Sequence, residues 1–532
     1  MMMRNFKSFL SLLTLCVVLI FLVSLSKPAA ANAEAGETDD VKIEEDLVTE
    51  IPANILNTRM LKLDVKSYAG HINVPGKDPE GDYNTHLFYW FFESRNSQYV
   101  PEEKKKDIPL VIWLNGGPGG SSLLGLFMEN GPFLIQDDDT GTIVTNPNSW
   151  NEEVHLLYWD QPVGTGFSYS VPEGRYAHSE AELSRQFYLA IQGFLDRHQI
   201  YRDCPLYITG ESYCGKYIPN MATEIMNRNG KLEKKEKDPR YINLQGLAIG
   251  DGWINPELQT KTQLDYAFQM GFVDTFQEQE IMKMYKTFSG LMKDAKKQKK
   301  GSKKYRKLMK QASCWGNWVV ERTLDCGGNP DMYDVRGWTD VSADLLTRYL
   351  NQGKYKNNPN PTVKECLHVD DSITWVTADD EGPVTEALVD DAMADAAHLL
   401  PALFKNYRVL MYTGNFDLIC GFTGTEYILW NLDRFSPDRQ QEWVKRWLEK
   451  WRTLHRKVWV LPPNQTLGYI KHYDNVTQVN IPQAGHLVPI AQPEVSRTMI
   501  NNWIFKRPFP AYDPLEKKLK CCKYVKRENC IK

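Results

Sequence analysis

Ser212 stands between a short apolar run and a stretch of helical character, in Leu206-Tyr-Ile-Thr-Gly210-Glu211-Ser212-Tyr213-Cys214-Gly215-Lys216-Tyr217. A sharp strand-to-helix turn that presents a hydroxyl needs small residues two positions to either side of it; Gly210 meets that need, and Cys214 is small though not the usual glycine. The chemistry open to such a serine is nucleophilic attack. A hydroxyl is a weak nucleophile at its free pKa, so a histidine must take its proton and a carboxylate must orient that histidine. Gly-x-Ser turns are also purely structural, so the partners decide.

In chains that carry a nucleophile of this kind after a strand of an α/β-hydrolase sheet, the acid and then the histidine come after the serine. The later sequence offers Asp417 after the strand-like run Val409–Tyr412, and then His486 in Gln483-Ala-Gly-His486-Leu-Val-Pro489. Both fall in loops that succeed strands. Ten histidines and many aspartates are present, so residue type and order alone leave these two assignments open.

The elements that must position these residues can be read from the apolar periodicity. Ser67–Phe92 reads as a pair of strands around a Pro/Gly turn, an antiparallel start. Short apolar runs at Leu110–Leu114, Leu156–Trp159, Leu206–Thr209, Leu247–Ile249 and Val409–Tyr412 have the character of strands buried on both faces. Leu183, Phe187, Ala190, Ile191, Phe194 and Leu195 recur at helical spacing, with Ser179 and Glu182 placed as a capping box. Strands alternating with helices predict the α/β class: an α/β-hydrolase fold with a mostly parallel central sheet flanked by helices and an inserted, mainly helical cap.

The expected division is a signal peptide at 1–33, an N-terminal extension at 34–66, the first part of the core at 67–254, the cap at 255–400, the second part of the core at 401–510, and a basic Cys-containing tail at 511–532. Within the cap, Lys296–Lys310 is expected to be a solvated, mobile loop open to proteolysis.

At 532 residues and 42% hydrophobic content the chain can build a sizeable core, and a net charge of −4 gives no sign of nucleic-acid binding. Arg4 and Lys7 precede an apolar run from Phe9 to Leu25 and the small residues Ala29, Ala30, Ala31 and Ala33, the pattern of a cleaved leader; no later stretch is apolar enough to span a bilayer. Entry into the secretory pathway permits disulfides among the cysteines left after Cys16: Cys204, Cys214, Cys314, Cys326, Cys366, Cys420, Cys521, Cys522 and Cys530. Asn464 and Asn475 head Asn-x-Thr sequons open to glycosylation there. The ligand spacing of a zinc site is absent, so neither a metal nor a cofactor is expected.

The chain resembles the serine carboxypeptidases in five separated blocks between about Ser67 and Trp503: Leu87-Phe-Tyr-Trp-Phe-Phe-Glu-Ser94; Trp113-Leu-Asn-Gly-Gly-Pro-Gly-Gly-Ser-Ser122; Asp160-Gln-Pro-Val-Gly-Thr-Gly-Phe-Ser168; Gly210-Glu-Ser-Tyr-Cys-Gly-Lys-Tyr217; and Ala484-Gly-His-Leu-Val-Pro489. The resemblance implies Ser212 as nucleophile, His486 as general base and Asp417, in Tyr412-Thr-Gly-Asn-Phe-Asp417-Leu-Ile-Cys420-Gly421, as the orienting acid. It implies the amides of Gly117 and Tyr213 as an oxyanion hole, a role that suits a Gly-rich loop because glycines let backbone N–H groups come close. It implies that Trp113, Asn115, Glu129 and Glu211 bind the free carboxylate of a peptide or protein C-terminus. Two glutamates beside an anion require shared protons, hence a preference for acid conditions.

Gly120 stands where many members of that family have a cysteine that ties core to cap, and in this it is similar to the vitellogenic-type branch. Cys314 and Cys326 remain a candidate disulfide within the cap. A secreted or lysosomal/vacuolar location without membrane attachment after leader cleavage is the expectation, with oligomeric state open, dimer included. An acyltransferase or esterase using the same triad, and a non-catalytic binding protein on the same fold, are the rival functions.

Overall fold

In chain order the strands are β1 (Leu47–Pro52), β2 (Met60–Asp78), β3 (Gly81–Phe92), β4 (Leu110–Leu114), β5 (Phe133–Ile135), β6 (Ile143–Thr145), β7 (His155–Trp159), β8 (Tyr169–Val171), β9 (Leu206–Glu211), β10 (Leu244–Gly250), β11 (Arg408–Gly414), β12 (Lys457–Leu461), β13 (Gln465–Tyr473), β14 (Val476–Ile481) and β15 (Ala511–Tyr512). The computed structural model describes residues 46–512 apart from 79–80, 234–237, 339–340, 378–381, 437–441 and 462–464.

All but β5 and β6, which pair with each other, lie in one sheet of order β1-β2-β3-β7-β4-β9-β10-β11-β14-β13-β12-β15, with β8 on β3. The six strands from β7 to β14 are mutually parallel. Antiparallel strands flank them on both sides. Every residue of β4, β7, β9 and β14 is buried, as parallel strands covered on both faces must be.

The longer helices are α1 (Glu180–Arg197), α2 (Cys214–Asn229), α3 (Pro256–Gln269), α4 (Thr275–Lys296), α5 (Lys303–Cys326), α6 (Pro383–Ala392), α7 (Phe422–Trp430), α8 (Glu442–Thr453) and α9 (Pro493–Ile504). One apolar cluster joins α1, α2 and α8 to the sheet through Phe187, Phe194, Ile218, Met221 and Trp447. A second, on the other face, gathers Trp90, Trp113, Trp150, Met499 and Trp503. This is the α/β-hydrolase architecture, a sheet between two apolar layers.

The register sets the site. Glu211 of β9, Gly250 of β10, Tyr412 of β11 and Val479 of β14 lie in one row across the sheet, so the loops leaving these strands emerge at the same edge. In open parallel sheets that edge, at the carboxyl ends of the strands, is where ligands bind.

Several expectations change. Residues 47–66, read as an extension preceding the core, supply β1 and the start of β2 and pair into the sheet. Lys296–Lys310 is not a loop: it holds the last residue of α4, a short turn and the first turns of α5. The physical reason is that lysine is a good helix former and that Tyr305, Met309 and Ala312 recur on one face, burying against Phe288 and Met292 while the lysines point to water. Ser302 caps α5 by accepting from Tyr305 N at 3.2 Å.

The capping box on α1 is half realised. Ser179 accepts from Glu182 N at 3.3 Å, but the Glu182 carboxylate serves His178 N and the Tyr83 hydroxyl instead of the cap amide.

Cys314 and Cys326 cannot form the candidate disulfide, because both are free and lie on α5. Twelve helical residues put their Cα atoms about 18 Å apart, against the roughly 4.4–6.8 Å a disulfide spans. Asn475 is half-buried and donates through Nδ2 to Phe404 O at 3.1 Å. Asn464, the leader and Cys521, Cys522 and Cys530 lie outside the described residues.

Candidate active site

Ser212 occupies the turn between β9 and α2 with φ of +61°, a left-handed backbone conformation that points the side chain out of the sheet edge. Its amide donates to Gly250 O at 3.0 Å, and its carbonyl accepts from Gly215 N at 2.9 Å and Trp253 N at 2.7 Å. Small neighbours are required: a Cβ on Gly210 would lie 2.4 Å from Leu114 O, and one on Gly215 2.6 Å from Trp253 N. Cys214 fits because its thiol donates to Leu114 O at 3.2 Å.

Asp417 and His486 meet in the interior. Asp417 Oδ2 accepts from His486 Nδ1 at 2.8 Å, and Oδ1 accepts from Cys420 N at 3.0 Å, both side chains being almost wholly buried. Bonding at Nδ1 leaves Nε2 as the ring nitrogen that faces outward. The cluster Asp417, Cys420 and His486 is the one group of metal-ligand types that comes together among the described residues. Its Asp417 oxygens and His486 Nδ1 are spent on each other and on a backbone amide, which makes it an acid–base pair rather than a metal cradle.

The Gly-rich loop leans on the serine turn. A Cβ on Gly116 would lie 2.5 Å from Tyr213 N and 2.7 Å from Ser212 Cβ, so the loop backbone can pass there only because position 116 is glycine. Gly117, next along, has φ of +107°. Tyr213 is the N-cap of α2, where amides have no helical carbonyl to meet. The loop is held from below by Asp160. Its Oδ1 accepts from Ser121 Oγ at 2.6 Å and Ser122 N at 3.0 Å, and its Oδ2 from Phe167 N at 3.0 Å. Burial pushes this carboxyl up to about 7 despite those donors.

Beside the serine turn lies a buried pair of glutamates. Asn115 Nδ2 donates to Glu129 Oε1 at 2.9 Å and to Glu211 Oε1 at 3.1 Å, while Asn115 Oδ1 accepts from Trp113 Nε1 at 2.9 Å and Gly125 N at 3.0 Å. The amide of Asn115 is thus fully committed, and Trp113 orients it from behind. Oε2 of each glutamate is buried with no other donor aimed at it, and the two carboxyls lie within hydrogen-bonding reach of one another, an approach that favours a proton on one of them. Burial pushes Glu129 up to about 7; burial and then the charge of Glu129 push Glu211 well above the carboxylate range.

A sequence model described as serine carboxypeptidase matches residues 58–506. The chain belongs to the serine carboxypeptidase family. Among its relatives, a probable serine carboxypeptidase CPVL of Dictyostelium discoideum is 31% identical over 471 residues, covering 88% of this chain and 83% of that one. The venom serine carboxypeptidase of Apis mellifera is 31% identical, covering 84% of this chain and 85% of its own. The crystal structure of KEX1ΔP, a prohormone-processing carboxypeptidase from Saccharomyces cerevisiae, superposes with a TM-score of 0.67 at 22% identity, over 87% of this chain and 96% of that one. That likeness speaks for the fold.

In this serine carboxypeptidase the sheet edge gathers Ser212, Tyr213, Gly117, Asp417, His486, Trp113, Asn115, Glu129 and Glu211, whereas Cys314, Cys326 and Asn475 lie elsewhere. Sequence reasoning missed a segment from the helical stretch. Tyr333 O accepts from His486 N at 2.7 Å, Met332 O from Leu418 N at 3.2 Å, and Val335 N donates to Phe416 O at 3.1 Å, so residues 332–335 strap the acid loop to the histidine loop. No sequence signal marks these bonds, which use backbone atoms. Asp160 was legible only as part of a family block, although an aspartate closing a buried strand before Gln-Pro is itself a sign of a loop anchor.

Proposed function

We propose that this serine carboxypeptidase releases C-terminal residues from peptides and proteins by an acyl-enzyme route, best under acidic conditions. The observation that carries this reading is the buried, proton-sharing Glu129–Glu211 pair immediately beside the Ser212 turn. A carboxylate arriving there meets protonated oxygens as donors; a neutral acyl group or an internal peptide segment brings no charge that needs them.

In this mechanism His486 Nε2 takes the Ser212 proton as Oγ attacks the last peptide carbonyl, and Asp417 steadies the ring through Nδ1. The amides of Gly117 and Tyr213 face the oxygen that gains charge. His486 then gives the proton to the leaving amine, freeing the C-terminal amino acid, and a water activated by the same ring hydrolyses the ester on Ser212. The stretch 255–400 serves as a cap over the site. The leader at 1–33 directs the chain into the secretory pathway, toward secretion or a lysosome/vacuole; no helix among the described residues is long and apolar enough to cross a membrane.

The test is product analysis by mass spectrometry on paired peptides, one with a free C-terminus and one amidated, between pH 4 and 8. Single-residue trimming of the free acid with the amide left intact at pH 5 is expected. Equal processing of both, or transfer of the acyl group to an added alcohol in preference to water, would replace this reading with an esterase or acyltransferase.

A further inference from the structure

A second carboxyl lies against the catalytic acid. Asp251 comes directly after β10, whose last residue pairs with Glu211 on one side and Tyr412 on the other. It is fully buried, has φ of +42°, and donates through its amide to Tyr412 O at 2.8 Å. Its Oδ1 accepts from Gly414 N at 2.9 Å, at the end of the strand that leads to Asp417. Its Oδ2 is buried with no other donor aimed at it, and the Asp251 carboxyl lies within hydrogen-bonding reach of that of Asp417.

Two carboxylates cannot both stay ionised in contact in the interior; one proton must be shared. Asp417 already accepts from two donors, the His486 ring and the Cys420 amide, one at each oxygen. Asp251 receives one amide only and faces the Asp417 charge; the Glu211 carboxyl, Tyr412 and Cys420 also face it, all three pushed toward their neutral forms by burial. The proton therefore belongs on Asp251 Oδ2.

We propose that Asp251 is a positioning residue for catalysis: its protonated carboxyl donates a hydrogen bond to Asp417 and so fixes the carboxylate that orients His486. Asp417 then has donors on three sides and cannot swing away from Nδ1 when the ring becomes charged. This deepens the triad reading and rests on it. Burial, and next the neighbouring Asp417 charge, hold the Asp251 carboxyl well above its ordinary range, so the donor is present at low pH and is lost as pH rises through that raised value.

The experiment uses the mature full chain with Asp251→Asn and Asp251→Leu, measuring kcat and KM on a free-acid peptide from pH 4 to 9, with unfolding temperature alongside. Asparagine keeps the acceptor for Gly414 N and supplies a donor to Asp417 that cannot ionise; leucine fills the volume and supplies neither. We expect Asp251→Leu to lower kcat by about 10- to 150-fold, the worth of one hydrogen bond to a charged group, with KM within twofold. Asp251→Asn should restore most of kcat and retain more of it at pH 9 relative to pH 5 than the unmodified protein does. Equal loss in both variants, loss expressed in KM, or an unchanged alkaline limb in Asp251→Asn would overturn the assignment. Should Asp251→Leu not fold, the alkaline limb of Asp251→Asn decides alone. Ser212→Ala, assayed in parallel, separates the two readings: an active Ser212→Ala protein overturns the triad and this proposal with it, whereas an inactive one with an unaltered Asp251→Asn pH profile overturns this proposal only.

Discussion

Ser212 holds a backbone conformation that costs a residue with a Cβ about 1–2 kcal/mol, and three backbone hydrogen bonds to Gly250, Gly215 and Trp253 keep it there. Because those bonds are backbone bonds, Ser212→Ala leaves them intact. Turnover should fall by about 10⁴-fold or more while the unfolding temperature stays within a degree or two, and labelling by a fluorophosphonate should vanish. Asn115 is different, since its amide bridges Glu129 and Glu211. Asn115→Ala removes hydrogen bonds to charge-bearing groups, so kcat/KM on free-acid peptides should drop by about 10- to 150-fold, with the amidated analogue barely altered; an equal drop on both would disconnect Asn115 from carboxylate recognition. For the glutamates the sign comes from the raised pKa values. The donating, protonated state exists at low pH and is lost as pH rises through about 7 for Glu129, so KM for free-acid peptides should climb between pH 6 and 8. Glu129→Gln, a donor at every pH, should flatten that climb.

Local elements carried their function openly in the sequence. The elbow was legible because a strand, a serine and small flanking residues are contiguous, and so was the Gly-rich loop, where Gly116 and Gly117 answer close approaches. The central strands were legible from unbroken apolar runs, whereas β14, Val-Thr-Gln-Val-Asn-Ile, carries three polar residues in six and yet lies buried between β11 and β13. The Lys-rich stretch misled in the opposite way, because a row of charges hid the Tyr305, Met309, Ala312 face that seats α5 against α4. The strap at residues 332–335 was invisible, being made of backbone contacts to segments roughly 80 and 150 residues further along the chain. Its weight can be measured at Gly485. A Cβ there would lie 2.4 Å from Tyr333 O and 2.7 Å from Asp334 Cβ, which forces either the strap or His486 to move. Gly485→Ala should therefore cut kcat by about 10²-fold, the scale of an ångström's misplacement of a catalytic group, with KM much less affected. An unchanged kcat would mean that the histidine loop yields without moving the ring.

Over the whole molecule, buried ionisable groups set a pH dependence of stability that no single site reveals. Burial raises Glu129 from 4.5 to about 7, Asp160 from 3.8 to about 7 and Glu180 from 4.5 to about 8, and it raises Glu211 and Asp251 further in the same direction. Each of these groups binds its proton more tightly folded than unfolded, so each makes stability fall as pH rises from its unfolded pKa to its folded one. Burial acts oppositely on His71, His155 and His198, lowered from 6.5 to about 4, for which the unfolded chain binds more protons in that interval and stability rises with pH. Between about pH 4 and 6.5 these three histidines offset three of the five carboxyls. Above 6.5 the histidines are neutral in both states, and only the carboxyls still hold more protons folded than unfolded. Each excess proton held by the folded state costs about 1.4 kcal/mol of stability per pH unit. At an unfolding entropy of about 2.1 cal/mol/K per residue, that is about 1–2 °C per pH unit for each such proton in a chain of this length. Unfolding temperature should accordingly fall gently from pH 4.5 to 6.5 and more steeply above 6.5, and Glu180→Gln, which is not one of the carboxylate-binding residues, should make that fall shallower without moving the pH dependence of KM. A profile that rises through pH 8 would show that these carboxyls are ionised in the folded protein, and would withdraw the physical basis for an enzyme suited to acid conditions.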